Sequence, residues 1–187
     1  MLKFKNGKFK IMQIADIQDT NKTAPDTLRL IEAALDSEKP DLVVFSGDQI
    51  KGYGFNLQHG DIDKKVRTAI DNIVSPVVER KIPFTLCFGN HDGKRDFSKE
   101  EQLKVYQSYD GCLAYSDGED IKGVANHCLT VDGEDGSCKL ALYMLDTNLR
   151  LDIGGYDCLG QNQLEWYTKK RDELENQSGG VVPAIVF

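Results

Sequence analysis

The chain has 187 residues, of which 40% are hydrophobic and 28% charged, and a formal net charge of −7. This apolar content excludes an intrinsically disordered chain, and no apolar run approaches the roughly 18–20 residues that span a bilayer. The acidic balance argues against a nucleic-acid partner held by a basic face, but not against a phosphate substrate whose charge is met by metal ions.

In chain order the pattern alternates strands and helices. Phe9–Ala15 (FKIMQIA) reads as a short strand. A helix start follows at Thr23-Ala24-Pro25-Asp26, with Thr23 as the expected N-cap and Pro25 in the first turn. Leu28, Ile31 and Leu35 fall at helical spacing, and Pro40 should end that helix. Asp41–Ser46 (DLVVFS) is a second strand whose unbroken apolar middle suits a sheet covered on both faces. A Gly-rich loop leads to a helix over about Asp61–Lys81, striped by Ile62, Val66, Ile70, Ile73 and Val77. Pro76 should kink that helix or end its first part.

Pro83–Phe88 (PFTLCF) is the third strand, and Ser98 with Glu101 forms a capping box for a helix to Tyr109. Val124–Val131 and Lys139–Leu145 are strand candidates, Gln161–Asn176 is an amphipathic helix, and Val181–Phe187 (VVPAIVF) opens a further apolar strand. This order predicts an α/β layered fold in a single domain over residues 1–187. Because an apolar strand is an unusual place for a domain to stop, the domain is expected to be incomplete at its C-terminus, with an uncovered sheet edge and self-association there. Five cysteines without regular spacing read as reduced thiols, and Met1–Lys5 has no signal-peptide character, so a cytoplasmic location is expected.

Each of the three first strands ends in small and acidic residues: Asp16-Ile17-Gln18-Asp19, Gly47-Asp48-Gln49, and Gly89-Asn90-His91-Asp92. In a parallel sheet the carboxyl ends of the strands share one edge, where ligands bind. Asp16, Asp48, Asn90 and His91 are therefore expected to converge. Carboxylate and amide oxygens suit Mn²⁺ and Mg²⁺, and imidazole extends the range to Fe and Zn. Gly47 and Gly89 would let the backbone turn sharply. Gly-Asn-His-Asp after an apolar strand is the least accidental of the three motifs.

On these motifs, and on IMQIAD, PDLVVFSGDQI and YDCLGQNQLEWY, the chain resembles the calcineurin-like metallophosphoesterases, most closely their purple-acid-phosphatase-like branch. The resemblance implies two stacked mixed β-sheets flanked by helices and a site for two divalent metal ions. It implies that Asp16 binds the first metal, Asp48 bridges both, and Asn90 binds the second. His91 would be the leaving-group acid and Asp92 would orient it. The implied function is a metal-dependent phosphomonoesterase or phosphodiesterase that uses a two-metal-activated hydroxide on a phosphorylated substrate. The alternative is an inactive binding module on the same fold.

Three departures stand beside that resemblance. Gln18 takes the position of a metal-binding histidine and is expected there as a weaker, amide ligand of the first metal. Lys51 stands where purple phosphatases have tyrosine, with Tyr53 off register. The further histidine ligands expected after Val181–Phe187 have no counterpart, since the only other histidines are His59 and His127. His59 reads as a solvated loop residue and His127 as a structural one. The Lys51–Gly60 loop and Lys94–Lys99 are expected to line the opening, where Lys94 and Arg95 could hold a phosphate.

Overall fold

The computed structural model describes residues 1–52, 57, 59–93, 97–148 and 153–187. Seven strands and four helices follow in the order β1 (Leu2–Lys3), β2 (Ile11–Ile14), α1 (Pro25–Glu38), β3 (Leu42–Ser46), α2 (Ile62–Glu79), β4 (Phe84–Cys87), α3 (Lys99–Gln107), β5 (His127–Asp132), β6 (Cys138–Met144), α4 (Gln161–Ser178) and β7 (Ala184–Val186). They build two sheets. β2, β3 and β4 are wholly parallel; β1, β5, β6 and β7 form a mixed sheet in that order, with β5 and β6 antiparallel.

The unbroken apolar run of β3 reflects its place between two layers. Leu42 and Val44 face the second sheet, packing with Cys87, Val131, Leu142 and Met144. Val43 and Phe45 face the helices, packing with Leu35, Ile70 and Ile73 among others. On the far side, Trp166, Tyr167 and Leu174 of α4 cover Cys128, Ala141 and Tyr143. The layers therefore run helices, sheet, sheet, helix. Because β2–β4 are parallel, residues 16, 48 and 90 all leave the same sheet edge.

Some local expectations are corrected. Thr23 does not cap α1: its hydroxyl donates to the Thr20 carbonyl at 3.0 Å, and Ala24 is the N-cap. The carboxylate of Asp19 instead accepts from the Ala24 amide at 2.9 Å. Pro76 does not end α2. The helix continues through to Glu79, because the proline lies on the buried face and its packing offsets one missing hydrogen bond. β7 pairs with β6 as expected of an apolar strand, but it lies at the sheet edge, and Ala184, Ile185 and Val186 are all exposed. No helix among the described residues is long and apolar enough to cross a membrane.

His127 ties the sheets together. Its Nδ1 lies 2.6 Å from the Ala125 carbonyl, so that nitrogen carries the hydrogen, and Nε2 accepts from the Thr85 hydroxyl of β4 at 2.6 Å. Burial pushes its pKa down to about 4. The folded state keeps the ring neutral while the unfolded chain takes up a proton below the usual value of about 6.5. Stability is thus full above pH 6.5 and falls between pH 6.5 and 4, by on the order of 3 kcal/mol in total. Urea unfolding at pH 7.5 and 4.5 should show a smaller acid loss in His127→Gln than in the parent. An equal loss in both would contradict the neutral inter-sheet ring.

Candidate active site

The three strand-end loops are bonded to one another. The Asp16 amide donates to the Gly47 carbonyl at 3.1 Å, and the Gln18 amide to the Asp48 carbonyl at 2.9 Å. The His91 amide donates to Asp48 Oδ1 at 2.8 Å. Asp48 thus stands at the centre, with its Oδ2 4.0 Å from His91 Nε2. Gln18 Nε2 donates to Asp16 Oδ1 at 3.2 Å. The Asn90 side chain makes none of the hydrogen bonds found among the described residues. The half-buried His91 ring and the exposed Asp16 set the site at the surface.

The backbone here is unusual. Asp16, Gln18 and Asp48 all have left-handed conformations, with φ of 53°, 45° and 54°. Side chains other than glycine rarely adopt that region, and such residues persist where the surroundings over-determine them, often at functional sites. Among the described residues, three of the eight non-glycine residues with positive φ are candidate ligands at this one edge.

Asp92 plays a part the sequence did not reveal. It is 1% exposed, and both oxygens are taken by backbone amides. Oδ2 accepts from Gly89 at 2.7 Å and from Asp48 at 2.8 Å, while Oδ1 accepts from Ile50 at 3.1 Å. Its carboxylate therefore pins the second and third loops together from below. Burial pushes its pKa up to about 6, against the pull of those amides.

Gly47 makes the expected sharp turn, at φ 106°. Gly89 is needed for space instead, since a Cβ there would collide with Asp48 Oδ1 and the Asp48 amide. Gly89→Ala should displace the Asp48 carboxylate and weaken Mn²⁺ binding by at least about tenfold, a loss of roughly 1.4 kcal/mol. Titration calorimetry would read this, and parental affinity would show that Asp48 is not a ligand.

The Lys51–Gly60 loop lies only partly, and Tyr53, Lys94 and Arg95 not at all, within the described residues. His59 is exposed, and its carbonyl accepts from Lys65 Nζ at 2.6 Å. Lys99, expected with Lys94–Lys99 to line the opening, is instead buried and paired with Asp146, and neither Asp146 nor the buried Gln102 was singled out by the sequence.

A sequence model of the calcineurin-like phosphoesterases matches residues 9–177. The chain belongs to the calcineurin-like phosphoesterase family. It is 32% identical to an uncharacterized Schizosaccharomyces pombe protein, over 86% of this chain and 33% of that protein. It is 28% identical to "Probable inactive purple acid phosphatase 14" of Arabidopsis thaliana, over 97% of this chain and 53% of that one. It is also 28% identical to "Phosphatase DCR2" of Saccharomyces cerevisiae, over 89% and 32%. The chain thus spans between about a third and a half of these relatives.

Calcineurin-like phosphoesterases generally use divalent metals, and the donors here can be tested against such an ion. Asp16 and Asp48 carboxylates with the Asn90 amide oxygen are a hard oxygen set, fitting one ion of the Mn²⁺ or Mg²⁺ kind. Among the described residues no group of three or more His, Cys, Asp or Glu is placed to hold an ion.

Proposed function

We infer that this chain carries the site of a metal-dependent phosphoester hydrolase. The observation that bears most weight is the convergence of Asp16, Asp48 and the Gly89–Asp92 loop at one sheet edge, with Asp48 fixed by the His91 amide. Family membership supports the same reaction class. Asp16, Asp48 and Asn90 would hold a divalent ion, which supplies positive charge to the phosphate and lowers the pKa of a coordinated water.

The protein's own groups supply position and a proton. The amide of His91 holds Asp48 Oδ1, so the carboxylate keeps one orientation. Asp92 fixes the spacing of the loops and is a positioning residue. In hydrolysis a water oxygen bonds to phosphorus, releasing a proton to solvent, as the ester P–O bond breaks. His91 Nε2, half-exposed at the rim, gives its proton to the departing oxygen.

A second reading, a binding module without turnover, is favoured by Gln18. Its amide donates to Asp16 at a position where the resemblance implies a histidine ligand. Three Arabidopsis relatives also carry "inactive" in their names. Hydrolysis of p-nitrophenyl phosphate and its bis ester with added Mn²⁺, beside separate titration of Mn²⁺, distinguishes the two. Turnover that needs both Mn²⁺ and His91 supports the hydrolase. Mn²⁺ binding without turnover supports the module, and neither would overturn both.

A further inference from the structure

Helix α3 begins just beyond the Gly89–Asp92 loop and turns polar groups inward. Lys99 and Gln102, one turn apart, are 6% and 0% exposed. Gln102 Nε2 donates to the backbone carbonyl of Asp92. Lys99 Nζ donates to Asp146 Oδ1 at 2.7 Å. Asp146 lies two residues past β6 and is 1% exposed. Its Oδ1 also accepts from the Asn148 amide at 2.7 Å, and its Oδ2 from the Val124 amide at 2.9 Å. Its own carbonyl accepts from Gln163 Nε2 of α4 at 2.7 Å.

A buried ion pair is a poor device for stability alone, since apolar residues of similar volume often hold a fold as well or better. It does fix geometry, because each charge is satisfied at only one separation. We propose that Lys99 and Asp146 are positioning residues that set the candidate site by locking the end of β6 to α3, and through Gln102 to the Asp92 loop. The first sheet carries the candidate ligands and the second carries β6, and this pair ties the segment after β6 to α3, whose Gln102 holds the Asp92 loop. The inference rests on the reading of Asp48 and His91 as the reacting site.

The test is hydrogen exchange in Lys99→Met/Asp146→Leu, which replaces the pair with apolar residues. The amides of Gly89, Asp48 and Ile50, which all donate to Asp92, are expected to exchange roughly tenfold faster, while Val44 and Phe45 in β3 keep parental protection. Mn²⁺ affinity should fall in parallel. Unchanged loop amides in the folded double variant would overturn the proposal. If that variant does not fold, Gln102→Met removes the tie to Asp92, with a weaker 3.4 Å bond to the Phe97 carbonyl, and should speed the same three amides; unchanged exchange there would likewise overturn it. None of these readouts needs turnover, so a chain that hydrolyses nothing would count against the hydrolase reading and leave the positioning result standing.

Discussion

Asp92→Ala is expected to destabilise the fold by about 4 kcal/mol, one of the largest single-residue losses in the chain. Three amides would lose their acceptor at once: Gly89, Asp48 and Ile50. An unsatisfied buried donor costs about 1–3 kcal/mol, and the three share one acceptor, so the total falls short of their sum. Water can reach the partly buried Gly89 and Asp48 amides, whereas Ile50 is 1% exposed. Asp92→Asn keeps one oxygen and should lose about half as much. Urea unfolding reads both variants, as a lower midpoint with an unchanged slope. A loss under about 1 kcal/mol for the alanine variant would show that the loops hold together without this carboxylate.

The second large effect separates Asp48 from His91. Asp48→Ala should abolish Mn²⁺ binding, since the central carboxylate of the site is lost. His91→Ala should leave Mn²⁺ affinity within a few-fold and lower kcat by roughly a hundred- to ten-thousand-fold, the range for a positioned proton donor. The His91 contact that orients Asp48 comes from its backbone amide, which alanine retains. Calorimetry and p-nitrophenyl phosphate turnover on both variants decide the matter. Loss of Mn²⁺ from His91→Ala would make His91 a ligand and remove the proton-donor role.

Much of this site could be read from the sequence because its signals are local. Apolar runs marked β2, β3 and β4, and parallel pairing then forces residues 16, 48 and 90 to one edge. The capping box at Ser98 is equally local and is present in the structure. Features that depend on distant partners were not legible. Thr23 looks like a helix cap until Thr20 and Asn72 compete for its hydroxyl. Pro76 looks like a breaker until its ring is enclosed by the core. Asp92 reads as a partner for the adjacent histidine, yet its acceptors are spent on amides from a loop more than forty residues away. Lys99 gives no sign of its partner, because Asp146 becomes its neighbour only when the sheets pack.

The pairing of Leu2 with Val131 and of Lys3 with Asp132 bears on the order in which the molecule forms. β2, β3 and β4 can pair once Cys87 is made, with α1 and α2 in the crossovers between them. The second sheet cannot close until β5 exists, and its N-terminal strand must then be recovered across most of the chain, a slow and entropically costly closure. Asp16, Asp48 and His91 therefore lie on or just beyond the half that assembles first during synthesis. That half presents Leu42, Val44 and Cys87 as a bare apolar face until the later half arrives. The interval between the two is when a nascent chain is most exposed to chaperones and to aggregation.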